Sequence, residues 1–194
     1  MRNAKVNRKT KETTISVEIT IDGSGKSTIN TSVPFLDHML DLLSQHGLFD
    51  ITLKATGDTE VDYHHTVEDV GICLGECFKK ALGDFKGIRR YGESTVPMGE
   101  SLSSVVLDIC NRPHLVFNAP LAQGKVGSFD NELVKEFFNA FVQKSGISLH
   151  INVTYGDNTH HIVEAIFKAF ARALDIASTL DKRITGVMST KGQL

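Results

Sequence analysis

Thr13 to Ile21 alternates apolar and polar residues with a period of two and is rich in β-branched side chains, which predicts a half-buried strand. Asp22-Gly23-Ser24-Gly25 reads as a turn, and Ser27 to Val33 as a partner strand returning in a hairpin. From Pro34 to His46 the spacing becomes helical, with Phe35, Met39, Leu42 and Leu43 on one face and Gly47 as the stop. Leu48 to Ala55 is a strand and Thr56-Gly57-Asp58 a turn. His64 to Leu82 is a long amphipathic helix with Val67, Val70, Leu74, Cys77, Phe78 and Ala81 as its apolar stripe, ended by Gly83. No element is assigned to the polar, basic segment Met1 to Glu12.

The pattern then restarts. Glu93 to Pro97, Ser101 to Asn111 and His114 to Asn118 read as strands, Asn131 to Lys144 as a helix, Ile147 to Thr154 as a strand and His160 to Leu174 as a helix. Gly47 to Asp58 overlays Gly146 to Asp157 at an offset of 99, and His64-His65-x-x-Glu68 overlays His160-His161-x-x-Glu164 at an offset of 96. A repeat of this length implies duplication of a β-β-β-α-β-α unit. The expected class is α+β, with two sheets each backed by helices and related by a pseudo-twofold. The halves divide at 1–87 and 88–194 and form one compact unit.

Charge and composition narrow the function. A net charge of −2, from 21 Lys and Arg against 23 Asp and Glu, removes the bulk electrostatic case for nucleic acid or an acidic membrane. Three cysteines without a C-x-x-C pair fit neither a disulfide framework nor a thiolate zinc site, and Cys73 and Cys77, one helical turn apart, read as core. No stretch of 18 apolar residues occurs, and the first twelve residues lack an apolar signal segment. A cytoplasmic protein is expected. Gly23-Ser24-Gly25-Lys26-Ser27 mimics the end of a phosphate loop, but Thr occupies position 20 where that motif needs Gly, and β-branched residues follow where it needs a helix.

Histidine carries the chemistry. Eight are present, and His-His-x-x-Glu opens an amphipathic helix twice. Residues four apart share a helical face, so His64 can meet Glu68 and His160 can meet Glu164. Neighbouring histidines diverge by about 100° around the axis, so each pair serves two ions, or one ring supports the other's metal. Imidazoles with a carboxylate suit Mn²⁺, Fe²⁺ or Zn²⁺. One copy alone could be a solvated helix start; two copies at matching repeat positions point to metal. His38 is a further candidate ligand, and its counterpart in the second half falls near Glu136, allowing a one-residue gap. His46 precedes a helix end, where a cation is favoured in any case. His114 and His150 read as structural. Arg90, Arg112, Lys168, Arg172 and Lys191 would make an anion site if they converge.

Phe35-Leu36-Asp37-His38-Met39-Leu40, His46-Gly47-Leu48-Phe49-Asp50, both His-His-x-x-Glu blocks, Phe167-Lys168-Ala169-Phe170-Ala171-Arg172-Ala173-Leu174 and Lys191-Gly192 resemble the imidazoleglycerol-phosphate dehydratase family of L-histidine biosynthesis, from about Arg8 to Gly192. The resemblance implies a carbon–oxygen lyase that converts D-erythro-1-(imidazol-4-yl)glycerol 3-phosphate to 3-(imidazol-4-yl)-2-oxopropyl phosphate. It implies two Mn²⁺ per active site and a homo-oligomer of 24 subunits with shared sites. By motif match His38, His64, His65, Glu68, Glu136, His160, His161 and Glu164 are the metal ligands, Glu136 standing where many relatives carry His. Glu12, Glu68 and Glu164 are the candidates for proton transfer, and His46, Arg90, Arg112, Lys168, Ser189 and Lys191 for substrate and phosphate contacts. The proton removed has no adjacent carbonyl, so an electron sink is needed. The substrate's own ring serves as a metal-bound imidazolate if metals bind both of its nitrogens. A binuclear metallohydrolase and a structural or storage metal protein remain the rivals.

Overall fold

A computed structural model describes all 194 residues. The elements in chain order are β1 Asn3–Lys9, β2 Thr13–Thr20, β3 Ser27–Asn30, α1 Pro34–Gly47, β4 Asp50–Gly57, α2 His64–Leu82, β5 Tyr91–Met98, β6 Ser101–Asp108, β7 His114–Asn118, β8 Lys125–Val126, β9 Phe129–Asp130, α3 Leu133–Ser145, β10 Ser148–Tyr155 and α4 Thr159–Ser178. The two main sheets have the orders β1-β2-β4-β3 and β5-β6-β10-β7. In each, the third strand of the unit runs parallel to the fourth and the other pairings are antiparallel. This identical order bears out the duplicated β-β-β-α-β-α unit, with the β8–β9 hairpin inserted before α3.

Period-two alternation sets the inner faces. Thr13, Ile15, Val17 and Ile19 of β2 are buried while their neighbours face outward. Each sheet lays this face on helices, and the helices of one half pack on those of the other, α1 against α4 and α2 against α3. A ring cluster crosses this boundary. Phe78 of α2 lies 6.0 Å from Phe141 of α3, and Phe138 of α3 lies 5.2 Å edge-on to Phe170 of α4. Each fully buried Phe contributes about 2–3 kcal/mol of apolar burial. Both halves therefore share a single core of 46 buried residues. Cys73 and Cys77 lie in it, where burial pushes their thiols up to about 12 and about 11.

Four local expectations are corrected. Ser27–Asn30 does not return to β2 as a hairpin; it pairs parallel with β4, because β1 and β4 already occupy both edges of β2. The turn instead crosses the end of β4, where the Asp50 carboxylate accepts the amides of Ser24 at 2.8 Å and Lys26 at 2.9 Å. The polar start of the chain is a strand, β1, whose one buried residue, Val6, leaves too little periodicity to read. The α1 stop is one residue later than Gly47: Leu48 takes the left-handed conformation at φ 55°, as Gly146 does at φ 77° after α3. The repeat therefore overlays Leu48 on Gly146 and His38 on Glu136 without a gap. An irregularity in β10 between Val153 and Tyr155 absorbs the extra residue before Asp58 overlays Asp157.

No helix is long and apolar enough to cross a membrane. The α2–α3 contact depends on Gly71 and Gly75, one turn apart on α2. A Cβ on Gly75 would lie 2.5 Å from the Phe141 carbonyl oxygen, and one on Gly71 2.8 Å from that of Phe137. Alanine is the better helix former by about 1 kcal/mol, yet overpacking against backbone costs about 1–3 kcal/mol or more. Gly75→Ala is therefore expected to lower the urea midpoint of unfolding; a raised midpoint would show that α2 and α3 are not in close contact.

Candidate metal centre and anion cleft

Local hydrogen bonds fix the two helix starts that carry the ligand candidates. Asn158 caps α4 with an extended backbone, its side-chain oxygen accepting the amides of His160 at 2.9 Å and His161 at 3.4 Å. At α1 the cap residue is Val33, which has no side chain to offer. Asp37 supplies the anchor, accepting the amide of Thr31 at 2.7 Å and its hydroxyl at 2.6 Å. His38 follows directly.

His38 of α1 and His160 and Glu164 of α4 come together. The two Nε2 atoms approach the same oxygen, Oε1 of Glu164, at 2.9 and 3.0 Å, and all three ligand atoms lie within 4.8 Å of one another. Bonds of about 2.1 Å to an octahedral cation put adjacent ligand atoms about 3 Å apart, as each ring nitrogen is from Oε1, and the donor set has the chemistry of a borderline divalent ion. Glu164 is only 7% exposed. Its Oε2 accepts from Lys168 Nζ at 2.7 Å, which leaves Oε1 for the two rings. Burial alone would raise the Glu164 carboxyl; Lys168, His38 and His160 outweigh it and hold the group at about 2. These residues can hold a metal ion.

Lys168 is thus held between Glu164 and the Met98 sulfur at 3.2 Å. His46, at the other end of α1, lines a hollow of about 210 Å³ with Arg172 and Asp175. Burial, then the charges of Lys168 and Arg172, push its ring below the usual histidine range.

The second rings of the two motifs share a different arrangement. His161 Nδ1 meets Glu100 Oε2 at 2.7 Å and His65 Nδ1 meets Asp58 Oδ2 at 3.0 Å. A carboxylate on Nδ1 fixes the tautomer that presents Nε2 as a lone pair for an ion. Sequence reasoning missed both carboxylates. Each follows a glycine in a turn, Gly57-Asp58 and Gly99-Glu100, but Glu100 lies far from His161 in sequence, and nothing local joins them.

At the start of α2 no comparable group closes. His64, His65 and Glu68 share the helix end, but Glu68 is exposed, and Glu136 on α3 lines a separate hollow of about 410 Å³ with Asn131 and Lys135. Ile72 stands in α2 where Lys168 stands in α4, so Glu68 lacks the cation that fixes Glu164. Glu12 occupies the β1–β2 turn, near enough for its charge to favour a protonated His65, although the Asp58 hydrogen bond is the larger influence.

Three of the five basic candidates converge elsewhere; Lys168 stays with Glu164 and Arg172 with the His46 hollow. Arg90, Arg112, Ser189 and Lys191 line one cleft of about 750 Å³ beside the C-terminal segment, and no metal-ligand candidate lines it. Arg90 is 9% exposed; its guanidinium grips Asp108 at 2.6 and 2.9 Å and the Met188 carbonyl at 2.7 Å. It therefore anchors the segment that brings Ser189 and Lys191 to Arg112.

Comparison with known proteins decides the family. The model of the family described as IGPD, imidazoleglycerol-phosphate dehydratase, matches residues 31–174. The chain belongs to the imidazoleglycerol-phosphate dehydratase family. It is 61% identical over 193 residues to the dehydratase of Geobacter sulfurreducens, covering 100% of this chain and 99% of the relative. It is 58% identical over 194 residues to that of Bacillus pumilus, covering 100% of both. The crystal structure of the dehydratase from Staphylococcus aureus superposes with a TM-score of 0.84 at 44% identity, over 92% of this chain and 99% of that one. That of IGPD from Pyrococcus furiosus superposes with a TM-score of 0.84 at 35% identity, over 97% and 100%.

The depressed Glu164 carboxyl sets an acid limit on the metal-free family member. A carboxyl held at about 2 when folded, against 4.5 when free, contributes stability that is complete above 4.5 and is lost as pH falls through about 2. Metal-free protein should lose unfolding free energy more steeply than Glu164→Gln as pH is lowered from about 6 to about 3. Parallel losses would mean that Glu164 is not held as an ion.

Proposed function

We propose that this chain is a manganese-dependent hydro-lyase, a carbon–oxygen lyase that dehydrates D-erythro-1-(imidazol-4-yl)glycerol 3-phosphate to 3-(imidazol-4-yl)-2-oxopropyl phosphate in L-histidine biosynthesis. The observation that carries this reading is the convergence of His38, His160 and Glu164, in a chain that belongs to the dehydratase family. Overall, a proton leaves one carbon and hydroxide leaves its neighbour, and the enol that remains becomes the ketone. Mn²⁺, read as two ions per active site, would supply Lewis acidity when bound, so that the substrate's ring could take up charge.

His38, His160 and Glu164 would hold one ion. His64, His65, Glu68, Glu136 and His161 are the remaining donors. Family membership implies oligomeric assembly, and we read it as a 24-mer with sites shared between neighbours. The separation within one chain of the closed ligand group, the open α2 group and the basic cleft supports the sharing of sites, since a neighbouring copy could bring them together; the number of subunits is taken from the family resemblance. Arg112, Ser189 and Lys191 would bind the phosphate, Arg90 would hold their segment in place, and His46 and Lys168 would line the approach. Phosphate binding remote from the reacting carbons helps to orient them.

Among the three carboxylates proposed for proton transfer, Glu12 fits best. Glu164 is committed to two rings and an ammonium. Glu12 is exposed, and its side chain makes no hydrogen bond. Loss of a general acid or base costs about 10²–10⁴ in rate. Glu12→Gln should lower kcat by at least about a hundredfold while Mn²⁺ content is unchanged. Arg112→Ala should mainly raise KM.

The deciding assay incubates Mn²⁺-loaded protein with the imidazole diol phosphate. The keto phosphate is expected, and exhaustive chelation should abolish it. Release of inorganic phosphate instead would mark a metallohydrolase, and metal-dependent assembly without turnover would mark a structural or storage protein.

A further inference from the structure

The duplication places two carboxylates at equivalent positions. Ile15, Val17 and Ile19 of β2 pair with Ala55, Leu53 and Ile51 of β4, as Ser103, Val105 and Leu107 of β6 pair with Val153, Ile151 and Leu149 of β10. Thr13 therefore corresponds to Ser101, and Glu12 to Glu100.

Their surroundings are opposite. Glu100 is fully engaged: its Oε1 accepts the Ser101 hydroxyl at 3.1 Å and the amides of Asp157 and Asn158 at 3.3 and 2.8 Å, while its Oε2 meets His161. Thr13 carries the same hydroxyl beside Glu12 but gives it away. It donates to Oδ2 of Asp69, which is only 6% exposed and whose Oδ1 accepts from Arg8 Nε at 3.0 Å. Ala165 stands at the Asp69 position in α4, so the second half has no competing acceptor and Ser101 turns to Glu100. The turn itself is held mainly by Thr10, whose Oγ1 accepts the amides of Glu12 at 3.1 Å and Thr13 at 2.9 Å and also lies 3.3 Å from the Thr13 hydroxyl.

We propose that Asp69 is a positioning residue: by capturing the Thr13 hydroxyl it keeps the Glu12 carboxylate unbonded and free to exchange a proton with substrate. The inference rests on the role given above to Glu12. A hydroxyl bonded to a carboxylate is a charge-assisted contact, stronger than one between neutral groups. It lowers the carboxylate's basicity and turns it toward the turn. Half two shows this state already formed, at Ser101 and Glu100.

Asp69→Asn tests the point without changing shape. Arg8, a donor only, claims the amide oxygen, so the amide NH₂ faces Thr13. The Thr13 hydroxyl must then accept, and its own proton, which Asp69 no longer holds, is released toward Glu12 or toward Thr10 Oγ1, 3.3 Å away. With Mn²⁺-loaded full-length protein, Asp69→Asn is expected to lower kcat about tenfold with KM within about twofold. Thr13→Val should stay close to wild type. The double variant Asp69→Asn/Thr13→Val should recover most of the lost kcat, because the interfering hydroxyl is gone. A merely structural Asp69 predicts a double variant no better than Asp69→Asn, and that result overturns the proposal, as does an Asp69→Asn variant with wild-type kcat. Glu12→Gln run in parallel separates the two readings. If it retains full turnover, the role of Glu12 falls and the inference with it; if it is inactive while Asp69→Asn is unaffected, the inference alone falls.

Discussion

A carboxylate as buried as Glu164 survives as an ion only because three partners from two helices compensate it. His38 reaches it from the first half, His160 and Lys168 from its own helix, at 2.7 to 3.0 Å. An unpaired ion at that depth would cost several kcal/mol. The α1–α4 contact is therefore constrained twice, by apolar packing and by the register that puts His38 opposite Glu164. The shared core, with its rings interleaved across the halves, gives α1 and α4 fixed places, and the Asn158 cap and the Thr31–Asp37 hydrogen bonds set the helix starts. The preformed ligand group is thus a product of the duplication: neither half alone contains it.

Duplication also supplied the means to break symmetry. The same His-His-x-x-Glu motif yields a closed, compensated group at α4 and an open one at α2. Two positions decide the difference. Lys168 is replaced by Ile72, and His38 by Glu136, which puts a second carboxylate where the other half has an imidazole. A tight α2 group built from Glu68 and Glu136 alone would bring like charges together, which is unfavourable without a cation. The hairpin carboxylates diverge in the same way. Glu100 is spent on orienting His161, and Glu12 is left unbonded because Asp69 occupies its neighbour's hydroxyl. One fold thereby gives equivalent side chains different surroundings through a few substitutions on the same and facing elements.

Much of this architecture was legible in the sequence, for physical reasons. Helix α2 runs from His64 to Leu82 as its 3.6-residue stripe and terminal Gly83 predict, because a long apolar face leaves little freedom. The repeat was visible in the paired motifs, and with it the identical strand orders. Strand β1 was not, since an edge strand with one buried residue carries almost no period. The destination of β3 was not, since turn residues specify that the chain bends and not which strand receives it. At the site, four-residue spacing foretold the meeting of His160 and Glu164, and His38 was a candidate ligand from its place on the first helix, which the family resemblance reinforced. That Glu164 closes a group while Glu68 does not depends on burial and on Lys168, a tertiary property. Glu100 and Asp69 were missed because each acts on a partner distant in sequence.

The most direct test of the account is a crystal structure of the Mn²⁺-loaded protein with anomalous differences recorded at the manganese absorption edge. The account predicts a peak bonded to Nε2 of His38, Nε2 of His160 and Oε1 of Glu164, with Lys168 still holding Oε2. An anomalous map without a peak at this position, with the three side chains still hydrogen-bonded to one another, would contradict it.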